Sequence, residues 1–117
     1  MGLDGSRFTV DWWHEAAVLT FCDEQISDEL QVQELRGQIL AIAENLGFGK
    51  LVLDFANVAF VSTPVFSLLL QIREELERQS IELELSNVRP HILDVFKVTN
   101  LSNVFTVIPI GAEQGPA

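Results

Sequence analysis

One cysteine, Cys22, stands in a chain of 117 residues, so no internal disulfide is available. A buried structural thiol is the default reading for such a residue. With His14 and His91, the other two soft ligands, it makes no spaced zinc set. Basic residues are also few. Seven Lys and Arg face seventeen Asp and Glu, for a formal net charge of −10. Phosphate neutralisation needs clustered cations, so nucleic acid and anionic membrane surfaces are poor partners, whereas a basic protein face would be steered in. No apolar run reaches the roughly 20 residues that span a bilayer, so membrane insertion is not expected. The glycine-rich phosphate loops GxGxxG and GxxxxGK[ST] and the GxSxG nucleophile elbow are missing, and no Ser, His and Asp spacing suggests a triad. No cofactor is expected. By elimination these features suggest a cytoplasmic setting.

What is present is a core. Hydrophobic residues make up 48% and charged residues 21%, which sets the chain among folded rather than disordered sequences. The length suits one domain, expected over 8–110, with flexible tails at 1–7 and 111–117.

Phe8 to Val10 is a short apolar patch and Ala16 to Phe21 a second β-like run, suggesting an opening hairpin around a turn-like Asp11 to Glu15. Trp12 and Trp13 either pack over its end, the commoner outcome, or mark a contact surface. Beyond Ser27 or Asp28, residues Val32, Leu35, Ile39, Ile42 and Leu46 recur at helical spacing, and Gly47 follows as a left-handed cap. Leu51 to Phe55 is apolar on both alternating faces except at Asp54, the pattern of a central strand buried on both sides. Val65, Leu69, Ile72 and Leu76 define a second helix, with Glu74 four residues before Arg78 on its wet side. Ile81 to Leu85 alternates strictly, as a strand with one dry face does. Pro90, after Asn87 or Arg89, opens a short helix carrying Ile92, Leu93, Val95 and Phe96. Leu101 to Val104 is a brief turn. Phe105 to Ile110 is a last strand, which Pro109 confines to an edge or an end. The predicted fold is α/β: a mixed sheet with helices packed on it, in the order β-β-α-β-α-β-α-β, with room for a short terminal helix.

The segment Val61-Ser62-Thr63-Pro64-Val65-Phe66 interrupts an apolar run with two hydroxyls and a proline. Thr63 before Pro64 reads as a helix N-cap followed by a first-turn proline. The same geometry suits a modified hydroxyl, because a helix N-terminus stabilises added phosphate. Asp54 reads as a strand-end acid that bonds nearby backbone. A buried general base is its alternative.

The stretch LVLDFANVAFVSTPVFSLLLQIREELERQSIELELSNVRPHILDVFKVTNLSNVFTV resembles the second half of a STAS domain, the fold of bacterial anti-sigma factor antagonists. Leu51-Val52-Leu53-Asp54-Phe55 is similar to the family's acid-bearing strand. Val58, Phe60 and Val61 match its approach to the loop, and Asn100-Leu101 with Val104-Phe105 match its close. The resemblance covers residues 8–110. It implies a non-catalytic binding module that captures an anti-sigma factor or serine kinase-like protein and so regulates transcription, switched by phosphorylation in the loop before the second helix. By position the loop's Asp falls on Ser62, its two hydroxyls on Thr63 and Pro64, and its Gly on Val65. Thr63 and Ser62 are thus the candidate phosphoacceptors, and Val61, Ser62, Thr63, Pro64, Val65 and Phe66 the candidate partner surface. Pro64 cannot take a phosphate, and Val65 and Phe66 are bulkier than the family's Gly-Leu. These departures favour the alternative of a non-switching scaffold, assembled with other copies of the chain or with a transporter. A small-ligand binder or enzyme using Asp54 is the reading from another class.

Overall fold

A computed structural model describes residues 8–111. The expected tails lie outside the described residues, Gly111 excepted, as does any helix after the last strand. The elements are β1 (Phe8–Trp13), β2 (Ala16–Phe21), β3 (Gln25–Ile26), α1 (Glu29–Leu46), β4 (Gly49–Asp54), β5 (Phe60–Val61), α2 (Thr63–Arg78), β6 (Ile81–Val88), α3 (Pro90–Val98), a 3-10 turn (Leu101–Asn103) and β7 (Thr106–Pro109). The main sheet has the order β1-β2-β4-β6-β7. β1 runs antiparallel to β2, and all other neighbours are parallel. The expected order of large elements holds. β3 and β5 add a separate two-stranded sheet, too short to show any periodicity in the sequence.

Alternation decides which sheet face is dry. Ala17, Leu19, Leu51, Leu53 and Leu85 are fully buried beneath the helices. Their neighbours Val18, Val52 and Glu84 point the other way and are half-buried. β4 is central, as predicted, but is not sealed on both faces, because all three helices stack on one side. The helices meet the core through the predicted stripes. Val32, Leu35 and Ile39 of α1 and Val65, Leu69, Ile72 and Leu76 of α2 are buried, while Ile42 and Leu46 are half-buried. Each fully buried aliphatic side chain contributes roughly 1.5–3 kcal/mol before entropy is counted. Phe96 of α3 joins the layers, with edge contacts to Phe66 at 5.1 Å and to Phe105 at 5.9 Å.

Local signals are realised with some corrections. Asp28 is the α1 N-cap and accepts from Gln31 N at 3.1 Å. Gly47 ends the helix at φ 80 and donates to the Ala43 carbonyl. Pro109 ends the edge strand β7. β1 extends to Trp13, leaving His14 and Glu15 as the hairpin turn. Trp12 and Trp13 are 53% and 66% exposed, so they do not pack over the hairpin end. Cys22 is exposed, not buried, since it follows the last inward residue of β2. Arg78 pairs with Glu75 at 2.9 Å, and Arg73 with Glu77 at 3.0 Å, in place of the expected Glu74–Arg78 pair.

Candidate functional site

The candidate site is the entrance to α2, where the chain leaves the top of β4. Asp54 closes that strand. Its Oδ1 accepts from Ala56 N at 2.9 Å and from Asn87 Nδ2 at 3.0 Å. Asn87 reaches it from the irregular end of β6 with φ 55, a conformation Asn tolerates better than most residues. Arg89 Nη2 donates to the Ala56 carbonyl at 2.8 Å, and Asn57 Nδ2 to the Phe21 carbonyl at 3.0 Å. His91 Nε2 hydrogen-bonds the Ala59 carbonyl. Hydrogen bonds to the ends of β2 and β6 and to the start of α3 thus tie down residues 54–59. Asp54 serves backbone order here, the reading of a strand-end acid.

The next residues are fastened to the loop before α1. β5 pairs in parallel with β3, Phe60 opposite Gln25 and Val61 opposite Ile26. Ala59 N and Phe60 N both donate to the Glu24 carbonyl, and Ser62 N donates to the Ile26 carbonyl at 3.0 Å. The entrance to α2 is therefore held by backbone bonds rather than left as a free loop.

The structure moves the cap by one residue. Ser62 is the N-cap, extended at φ −91 and ψ 167, and Thr63 is already helical. Neither side chain caps the helix. Pro64 has no N–H to offer, and Val65 N is bonded to the Ser62 carbonyl at 3.0 Å. Ser62 Oγ instead donates to the Ser27 carbonyl at 3.3 Å. The first turn of α2 carries no acidic residue, so the positive end of its dipole is not offset from within.

Exposure divides the six predicted surface residues. Thr63 and Pro64 are exposed, and Val61, Ser62 and Phe66 are half-buried. Val65 is 3% exposed and belongs to the core. Its place in the α2 stripe already required this, so Val65 drops out of the candidate surface and acts as the anchor below it. Phe66 is likewise held against Phe96. Two neighbouring features escaped the sequence reading. Phe60 is 49% exposed, pointing outward where Val61 points in. A groove of about 390 Å³ runs between α1 and α2 from Pro64, lined also by Glu29, Gln33, Arg36, Ser67 and Gln71. Spacing alone could have placed Pro64, Ser67 and Gln71 on one helix face, but not the α1 residues opposite them. A larger groove of about 620 Å³ lies at the far end of α2, beside Lys50, Arg73 and Glu84. Among the described residues no cluster of three His, Cys, Asp or Glu could hold a metal, and no helix is long and apolar enough to cross a membrane.

The site is thus an exposed helix entrance, fastened by backbone bonds, beside a groove. A family model described as STAS domain matches residues 19–113, and the chain belongs to the STAS domain family. BtrV of Bordetella bronchiseptica, named as an anti-sigma factor antagonist, is 22% identical over 90 residues, covering 77% of each chain. An anti-sigma-factor antagonist (STAS) domain protein from Planctomyces limnophilus superposes with a TM-score of 0.78 at 20% identity, over 92% of this chain and 93% of its own. The Bacillus cell fate determinant SpoIIAA, in its phosphorylated form, superposes with a TM-score of 0.63 at 19% identity, over 86% and 89%.

Proposed function

We propose that this domain is a non-catalytic, cytoplasmic anti-sigma factor antagonist that binds an anti-sigma factor or serine kinase-like protein through the α2 entrance. The observation that carries the reading is the pairing of exposed Thr63 and Pro64 with an anchored base, Val65 and Phe66. A docking surface that is already ordered loses little entropy on binding. The net charge of −10 favours a partner with a basic face. No cofactor takes part.

Thr63, and Ser62 beside it, are the hydroxyls for a phosphate switch. A phosphate on Thr63 would sit at the uncapped N-terminus of α2 and add up to about −2 charge to the docking face. It would there oppose a partner selected for the unmodified helix end.

The test is capture of partners from the native host, followed by incubation of the complex with ATP and mass-spectrometric mapping. The wild type should retain an anti-sigma factor, and Pro64→Arg should lose it at least about tenfold. Phosphate should appear on Thr63 or Ser62 and release the partner. Equal retention by the folded Pro64→Arg variant would refute the docking surface. Retention of the partner with no phosphate transferred would favour the non-switching scaffold, for which Pro64 in the loop is the supporting feature.

A further inference from the structure

The outer edge of β1 has a self-matching arrangement. The hairpin turn is two residues long, so its closing pair, Trp13 and Ala16, exchanges both backbone hydrogen bonds. Alternation then commits the amides and carbonyls of Asp11 and Thr9 to β2 as well. Those of Phe8, Val10 and Trp12 point off the sheet, and no described strand lies beyond them. β1 spans six residues in unbroken register with β2, and its sequence, FTVDWW, contains neither Lys nor Pro. Proteins commonly blunt a free edge with a bulge, a lysine, a proline or a very short strand. β7, the opposite edge, has four residues, a register shift and Pro109. β1 has none of these, and the single charge on it is Asp11.

We propose that β1 pairs antiparallel with β1 of a second copy of this chain, about a two-fold axis through Val10, so that two five-stranded sheets become one. Val10 then faces Val10 of the partner subunit. Phe8 faces the partner's Trp12, and Trp12 faces the partner's Phe8. All three residues have outward backbone groups, so each pair closes two hydrogen bonds. Moving the axis by half a residue sets outward groups against committed ones and breaks the ladder.

The side chains follow the same axis. Phe8, Val10 and Trp12 lie opposite Phe21, Leu19 and Ala17, on the helix-bearing face. Trp12, 53% exposed in the single chain, gains an aromatic cross-strand neighbour. On the other face Thr9 stands opposite the partner's Asp11, a hydroxyl donor against a carboxylate. Asp11, the one charge within β1, therefore meets no like charge directly across the ladder. The two Asp11 carboxylates remain diagonal neighbours at about 7–8 Å, and two chains of net charge −10 repel. Salt screens both effects, so added salt should strengthen this dimer.

Sedimentation equilibrium of the full chain, from about 1 to about 500 µM, covers the affinities usual for a small interface. A monomer–dimer equilibrium that tightens with NaCl is expected. The register is read by disulfide trapping in a Cys22→Ser background. Val10→Cys should cross-link to itself, since paired Cα atoms lie about 5.5 Å apart, while Thr9→Cys and Asp11→Cys, diagonal to themselves, should not. Val10→Pro removes an outward donor and leaves the β1–β2 ladder bonded, so dimerisation should weaken at least about tenfold. Trp12→Lys should weaken it similarly from an exposed position that folding does not need. A monomer at every concentration overturns the proposal. So does a dimer that Trp12→Lys leaves intact, or trapping at Thr9 or Asp11 in place of Val10.

Discussion

Asn87 Nδ2 donates to Asp54 Oδ1 at 3.0 Å, joining the end of β4 to the irregular end of β6. The same oxygen accepts from Ala56 N. One carboxylate oxygen thus sets the direction in which the chain leaves the sheet toward α2. Asp54→Ala leaves both donors without this acceptor and should cost about 1–3 kcal/mol in urea unfolding. Asp54→Asn should cost less, because an amide oxygen in the same place can still accept both bonds, though without the charge. An equal cost for the two would mean that the carboxylate's bonds do not order the turn.

Two glycines should respond in opposite directions to alanine. Gly37 lies within α1, and a Cβ there meets nothing within 4 Å. Gly37→Ala should stabilise the protein by about 0.5–1 kcal/mol. Gly49 opens β4 at φ 104, and a Cβ there would lie 2.1 Å from the Glu15 carbonyl oxygen. That oxygen also accepts from Lys50 N, which docks the hairpin turn on β4. Gly49→Ala should therefore lower the thermal midpoint, and by more than Gly37→Ala raises it.

Lys50 Nζ lies 3.0 Å from Glu84 Oε1 on the open face of the sheet. The hydrogen bond and charge of Glu84, with a smaller contribution from Glu82, raise the Lys50 pKa above its usual value against a small opposing effect of burial. A group raised on folding stabilises the protein fully below its unfolded pKa, about 10.4, and loses that contribution as pH climbs through the folded value. Lys50→Met should thus be less stable than the wild type at pH 7. The gap should close above about pH 10.4. The side chain is 43% exposed, so screening holds the effect to under about 1 kcal/mol. Urea midpoints of both proteins from pH 7 to 11 measure it, and a gap that widens with pH would contradict the assignment.

Phe66 is locked against Phe96, and Thr63 stands free of the core three residues earlier. Phe66→Ala should lower stability by about 2–4 kcal/mol through lost packing. Thr63→Val should leave the unfolding free energy within about 0.5 kcal/mol, because this side chain caps nothing. Had Thr63 been the cap, its loss would cost about 1 kcal/mol. Thermal unfolding of the two variants separates the anchor from the surface.

The helices, their buried faces and the order of the large strands were legible in the chain. Val65, Leu69, Ile72 and Leu76 repeat at the period of a helix, and Gly47 and Asp28 mark ends by their own backbone and side-chain chemistry. Period and capping are properties of neighbouring residues, so no distant partner is needed to read them. Asp54 was legible for the same reason: one of its two partners, Ala56, is two residues away.

The α2 entrance was legible as a helix start, but which of its residues are exposed was not. Val65 carried two incompatible readings, and burial of the apolar stripe prevailed because an exposed valine there would leave a hole in the core. The cap moved to Ser62, whose hydroxyl turned to Ser27, a residue 35 positions away. Two-residue strands such as β3 and β5 have no period of their own and exist only as partners of each other.

What residues 8–111 determined by sequence alone was the kind and order of the elements, because those follow from local spacing and turn chemistry. Tertiary structure decided which of Ser62, Thr63, Pro64 and Val65 are exposed, why Cys22 is exposed, and that the helices cover one sheet face. Each of those outcomes depends on contacts between segments far apart in the chain, and no local pattern encodes how such segments meet.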